Sequence, residues 1–378
     1  MESYVRELVP RLALRDDLDL TVFVSCEAAG GDWGAREVRI PVHPADRKQW
    51  VYGEQVLLPP KARASQCQVL HSMASTAPLW GGFRRVTTIH DLMYKMVPDA
   101  HTGLLGRGMA VLVGGAARRS HRVIAVSEST AHDIHTQLGV PRSEIDVVYH
   151  GVSAPRVAPT PERDLRSRLG LGQRSVVLCV APKRPAKNLA ALIKAHALLR
   201  EPRPVLVLPG YTTPYEIELR NIAASAGTSD DIRFLEWVSA ADLEGLYQLS
   251  ALLAFPSLYE GFGMPPLEAM ARGVPVVTSD RGSLGEVVGN AAVIVDPERV
   301  SSIADGIQKL LFDPVECRRM AQAGRSRAND FTWSAAADKT VASYRAAFAG
   351  TGSAGIMRSR SGDQRAVPSA VMPLPITR

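Results

Sequence analysis

The sequence predicts an α/β protein with two doubly wound parallel sheets, and three observations carry that reading. Short runs rich in Val, Ile and Leu alternate with longer stretches of helical periodicity, the pattern of βαβ units. The pattern pauses over 152–164, a polar stretch with Pro155, Pro159 and Pro161, and restarts at Ser175. A length of 378 residues leaves room for two full cores.

In chain order, 1–12 reads as an amphipathic helix. Strands are expected at 20–25, 38–42, 69–72, 86–90, 123–126 and 146–149, with a core helix over 104–119. After the proline-bearing linker, strands are expected at 175–180, 205–208, 232–235, 252–255, 275–278 and 292–295. Helices fall between them at 188–199, 216–226, 240–248, 266–272 and 301–312. From Gly350 onward Gly, Ser, Arg and Pro replace the apolar periodicity, which reads as a disordered tail. The domains are therefore 1–155, 165–330, a helix over 331–348 and a tail over 350–378.

Composition narrows the function classes. The chain is 46% hydrophobic and 22% charged with 30 Gly and 26 Pro, which excludes collagen-like, coiled-coil and disordered chains. No apolar run reaches the roughly 18–20 residues that span a bilayer. Glu2 and an amphipathic stretch follow Met1 directly, so a cytoplasmic location is expected. Cys26, Cys67, Cys179 and Cys317 form no CxxC pair, so free thiols are expected rather than zinc or redox chemistry. Net charge is +6, and the four arginines of the tail against Asp363 supply half of it. The remainder suits anionic small molecules or peripheral contact with an anionic membrane. Lys and Arg do not interleave with aromatics on any one element, which disfavours nucleic acid.

The chemistry concentrates in Phe255-Pro-Ser-Leu-Tyr-Glu260-Gly-Phe-Gly-Met-Pro-Pro-Leu-Glu268. A strand ends at Phe255, a loop carries Glu260, and Gly261 and Gly263 permit close backbone approach to a ligand. Pro265 and Pro266 open a helix whose free amides and positive dipole end suit a diphosphate. Two isolated glutamates would read as a strand end and a dipole-complementing charge. The intervening Gly-Phe-Gly-Met-Pro-Pro favours a ligand site instead, with Gly261, Phe262, Gly263 and Met264 beside the ligand and Glu268 placed to accept from ribose hydroxyls.

This segment resembles the E-x7-E signature of the retaining GT-B glycosyltransferases of family 4, which include bacterial mannosyltransferases. Other parts recur in the same order. Val180-Ala-Pro-Lys-Arg184-Pro-Ala-Lys187-Asn188-Leu resembles the basic donor-phosphate loop, and Glu236-Trp-Val238-Ser the segment along the nucleotide base. Thr88-Ile-His90-Asp91-Leu resembles the acceptor-domain His-Asp motif, and Phe331-Thr-Trp333 the start of the closing helix. The resemblance covers roughly 1–348. It implies a GT-B fold, two Rossmann-like domains facing across a cleft, and retaining transfer of a hexose. The first choice is mannose from GDP-mannose, with UDP- and dTDP-sugars open, to a glycan or lipid-linked acceptor.

Arg184 and Lys187 follow a strand end, where open α/β sheets bind ligands, and two cations there would stabilise a departing diphosphate. Lys183 competes for the same role. By resemblance His90 orients the transferred sugar, Asp91 holds its loop or meets the acceptor, Glu260 binds sugar hydroxyls, and Val238 meets the base through its backbone. Asp17-Leu-Asp19 carries D-x-D letters but reads as a helix-to-strand turn, so no essential metal is expected. Ser283-Leu-Gly-Glu286 has capping-box spacing.

Family members begin with an apolar strand and a Gly-Gly loop ahead of a helix like 1–12, whereas this chain starts at that helix. Loss of a central strand leaves two neighbours without ladder partners. The expectation is a reading frame beginning upstream of Met1, which the upstream in-frame codons test, or a truncated chain. Two other classes compete: a sugar-nucleotide epimerase, which needs no acceptor, and a non-catalytic nucleotide-sugar binder.

Overall fold

The computed structural model describes residues 2–43, 45–97, 104–349 and 367–372, and it divides into two compact units. The first holds most of the chain to Gly151 together with the residues after Thr332; Val152–Phe331 makes up the bulk of the second.

The first unit carries β1 (Leu18–Val24), β2 (Arg36–Arg39), β3 (Val69–Ser72), β4 (Arg84–Ile89), β5 (Arg122–Ala125) and β6 (Ile145–Val147). β3 and most of β1, β4 and β5 are buried, as expected of parallel strands covered on both faces. Helix Glu2–Ala13 sets Tyr4, Val5, Leu8, Val9 and Leu12 at helical spacing into the core, despite Pro10 within it. The helix Trp333–Ala349 adds Trp333, Ala336, Ala337, Val341, Tyr344 and Ala347 to that same core. Asp17 lies in the turn before β1, ion-paired to Arg15 at 2.8 Å and to Arg345, while Asp19 is the exposed second residue of β1 itself.

The second unit carries β7 (Val176–Leu178), β8 (Val205–Pro209), β9 (Ile232–Leu235), β10 (Leu252–Phe255), β11 (Val276–Thr278) and β12 (Val293–Ile294). Its order is β12-β11-β10-β7-β8-β9, parallel throughout. The chain builds outward from β7 through β8 and β9, then returns to the other side of β7 at β10. That reversal leaves a switch point between β7 and β10 at the carboxyl edge.

One strand departs from expectation. Residues of the expected disordered tail form β13 (Val367–Met372), which pairs in parallel with both β1 and β3. Val371 lies opposite Val22 and His71, and the sheet reads β2-β1-β13-β3-β4-β5-β6. The two strands expected to lack ladder partners therefore have one. Pro368, which has no N–H to donate, sits near the strand's start, ahead of the β3 pairing. The rest of the expected tail lies outside the described residues.

Candidate active site

At the switch point the loops after β7 and β10 meet. Lys187 Nζ lies 2.5 Å from Glu260 Oε1, and both side chains are largely buried. Ser257 Oγ is 2.7 Å from the same carboxylate oxygen and 3.0 Å from Ala186 O, while Leu258 N donates to Ala186 O at 2.9 Å. Asn188, at φ 56°, donates from Nδ2 to Pro256 O and Pro297 O at 3.1 and 2.7 Å. These bonds hold the two loops in fixed register, so the ion pair needs no rearrangement to form. Arg184 is exposed on the same loop, and among the described residues no carboxylate pairs with it.

A third loop fixes the backbone of Glu260. Ser283 donates to Glu260 O from both N and Oγ at 3.1 Å. The Ser283 hydroxyl therefore does not close the capping box that its spacing suggests; its backbone is helical and its side chain makes no cap bond. Gly282 has φ +60°, and a Cβ there would stand 2.4 Å from Glu260 O, so only glycine fits. Ser279 Oγ donates to Ser257 O at 2.6 Å, which anchors the other side of the loop.

Gly261, Phe262 and Gly263 are buried, and Gly263 at φ +94° turns the chain into helix Met264–Ala271, with Pro265 and Pro266 in its first turn. Pro265 and Pro266 have no N–H and Leu267 N donates to Gly263 O, so the N–H groups at this helix start without a partner inside the helix are those of Gly263 and Met264. Phe262 meets Phe331 edge-on, with ring centroids 5.9 Å apart. Glu268, one turn further on, accepts the Tyr247 hydroxyl at 2.9 Å, and burial raises its pKa. Behind this pair Arg272 donates to Glu244 at 2.6 Å and lies 4.9 Å from the Tyr247 ring centroid. Tyr247, which local sequence did not single out, thus sets the orientation of Glu268.

Lys183 faces away from this cluster. Its fully buried side chain donates to Gly210 O and Leu235 O, at the ends of β8 and β9, and burial lowers its pKa to about 8. The two lysines of one loop therefore serve different sides of β7. Val238 lies past β9, just before the Ser239 N-cap of helix Ala240–Leu249.

In the first unit His90 follows β4 at the carboxyl edge, and its Nε2 lies 2.8 Å from Met73 O. Burial holds its pKa to about 3, so the ring is neutral at pH 7. The His150 ring stacks on it with centroids 5.4 Å apart, and Tyr4 meets it edge-on at 5.0 Å. Beneath them the buried His71 bonds Thr88 Oγ1 at 2.7 Å and the Tyr344 hydroxyl at 2.8 Å. Asp91 accepts from Met93 N at 2.9 Å, which holds the start of a short helical turn. His150, Tyr4 and His71 carried no local signal; they come from separate elements that only the sheet brings together.

Two parallel-sheet units, the second with a cation–carboxylate pair at its switch point and a helix start beside it, define a glycosyltransferase of the GT-B fold. The chain belongs to the glycosyl transferases group 1, matched over residues 162–327, with residues 1–156 matching Glycosyltransferase Family 4. O-antigen chain mannosyltransferase B of Escherichia coli is 31% identical over 268 residues, 69% of this chain and 70% of that protein. The MMP alpha-(1->4)-mannosyltransferase of Mycolicibacterium hassiacum is 32% identical over 62% of this chain, and the match spans only 56% of that protein. Sucrose-phosphate synthase of Thermosynechococcus elongatus shares the fold at 21% identity and a TM-score of 0.73, over 92% of this chain and 94% of that one. Anabaena HepE, solved with UDP and glucose, shares it at 20% identity and a TM-score of 0.70, over 86% and 99%. Among the described residues no helix is long and apolar enough to cross a membrane.

Proposed function

We propose that this chain transfers mannose from GDP-mannose to a hydroxyl of a glycan or lipid-linked acceptor, with retention at the anomeric carbon. The observation that carries this reading is the Lys187–Glu260 pair beside the start of helix Met264–Ala271. The names of the two mannosyltransferase relatives support the choice of sugar, and the UDP complex of HepE keeps a UDP-sugar as the competing donor.

In this reading the diphosphate lies against the Gly263 and Met264 N–H groups at the helix start, with Lys187 and Arg184 as countercharges. Glu260 accepts from sugar hydroxyls, Glu268 from the ribose, and His90, neutral, orients the transferred sugar. The bond from the anomeric carbon to the diphosphate oxygen breaks, and the acceptor oxygen bonds to that carbon on the same face. The acceptor's proton passes to the departing phosphate oxygen. Cations fixed in advance stabilise the charge that builds there, commonly the largest catalytic contribution. No step in this scheme calls on a metal.

The test is a donor screen by thermal shift, then turnover with the stabilising donor on mannose-bearing acceptors, with the product anomer read by NMR. A bound donor at a hundredfold excess over its Kd adds about 2.7 kcal/mol to stability. An inverted product, or release of an epimerised nucleotide sugar without acceptor, would overturn the reading.

A further inference from the structure

Glu54 is a carboxyl group in the interior of the first unit. It is 2% exposed, and among the described residues no cation pairs with it. Burial pushes its pKa up to about 7. It stands where helix Arg47–Tyr52 widens into a π turn over Gly53–Leu57 before continuing as Leu58–Ala64. Single π turns of this kind recur at functional sites.

Both carboxyl oxygens are engaged. The buried Thr76 hydroxyl donates to Oε1 at 2.7 Å, and Gln55 Nε2 donates to Oε2 at 2.9 Å. Gln55 also donates to Ala77 O and accepts from Leu79 N, each at 3.0 Å. Two consecutive side chains of the π turn therefore grip the loop that follows β3. Next to Thr76, Ser75 has φ 65°, a left-handed backbone that a residue other than glycine keeps only where its surroundings over-determine it. Ser75 N donates to Thr88 O on β4 at 2.8 Å, and Ser75 Oγ accepts from His90 N at 3.4 Å. At the start of the same loop, Met73 O accepts from His90 Nε2 at 2.8 Å. A carbonyl only accepts, so Nε2 of the neutral ring carries the proton and Nδ1 keeps its lone pair.

We propose that Glu54 is a positioning residue: through Thr76 and the left-handed Ser75 it fixes the Met73 carbonyl, which sets the tautomer and tilt of the His90 ring. The inference rests on the reading of His90 as the group that orients the transferred sugar, and extends it. A carboxyl group buried without a cation is costly to the fold. Here that cost holds a strained loop at the one carbonyl that decides which ring nitrogen of His90 can accept.

The test reads the His90 ring by NMR on unliganded protein labelled in its histidine nitrogens, the signal being assigned by its loss in His90→Asn. Wild type should show the tautomer protonated at Nε2. Thr76→Val, which removes the hydroxyl and keeps the shape, and Glu54→Leu should each spread the signal over both tautomers, and Thr76→Ser should restore the wild-type pattern. In turnover of GDP-mannose with a mannose-bearing acceptor, Thr76→Val should lower kcat about tenfold or more and leave donor KM within about threefold. Should Glu54→Leu fail to fold by circular dichroism, the Thr76 pair decides alone. A folded Thr76→Val with a wild-type ring signal, whatever its melting temperature, overturns the positioning and leaves the proposed function standing. A shifted ring with wild-type turnover supports the positioning and overturns the part given to His90 in the transfer. A wild type inactive with GDP-mannose overturns the donor reading and leaves the ring signal to decide this one.

Discussion

Lys187 Nζ and Glu260 Oε1, 2.5 Å apart, tie the loop after β7 to the loop after β10 across the one place where the second sheet reverses its order. In a largely buried pair each charge depends on the other, because either one left alone faces a desolvation cost. In the proposed reading the donor therefore exchanges contacts with groups already held in place.

Removing one partner should cost more stability than removing both. Lys187→Met alone is expected to lower stability by about 3 kcal/mol, and the Lys187→Met, Glu260→Gln double variant by less. Each single variant should lose about a hundredfold or more in kcat. Urea titration and initial rates check this; additive stability losses would show that the pair is not coupled.

Gly282→Ala should misplace Glu260 without touching it directly. A left-handed backbone and a Cβ 2.4 Å from Glu260 O together are expected to cost about 1–3 kcal/mol. Ser283→Ala, which keeps its backbone bond to the same carbonyl, should cost about 1 kcal/mol. Thermal melts of the two variants give the comparison.

Tyr247→Phe removes the hydroxyl that Glu268 accepts, in a setting where burial already raises the carboxyl pKa. Donor KM should rise several-fold with little change in kcat, and the rise should be steepest at acid pH, where Glu268 protonates first. A KM equal to wild type across pH 5.5–8, measured at about half-unit steps, would remove Tyr247 from donor binding.

Acid should unfold the first unit through its histidines. Burial holds His71 and His90 to about 3, against an ordinary value near 6.5. Between those values the unfolded chain binds protons that the folded chain refuses, so stability rises with pH across that window and is lost as pH falls through it. His71→Gln, with no proton to take up there, should flatten the dependence of the urea midpoint between about pH 4 and 6.5.

Much of this was legible in the letters, and the misses share a cause. The twelve expected strands all form, most of them because buried parallel strands write themselves as continuous apolar runs; β2, Arg-Glu-Val-Arg, is not buried. Glu260 and Glu268 stood out because glycine and proline spacing marks a loop that opens a helix, and Lys187 because it follows a strand end in a stretch that resembles the family's basic loop; the structure sets Lys187 beside Glu260. Lys183 was inseparable from Lys187 by spacing; only the directions of the two side chains part them. Gly282, Ser283, Tyr247 and His150 serve their neighbours through contacts between distant elements, which no local pattern records. β13 was missed because six residues amid Gly, Ser and Arg carry too little apolar signal to stand out.

The first unit draws its core from two stretches of chain separated by Val152–Phe331, the bulk of the second. Trp333 and Tyr344 pack against a helix begun more than three hundred residues earlier, while Val152–Phe331 is continuous. On the ribosome, then, the later-encoded lobe can complete itself first, and the earlier one must wait, part-open, for helix Trp333–Ala349 to emerge. A released chain truncated near residue 330 should be protease-resistant in its second half and cleavable in its first.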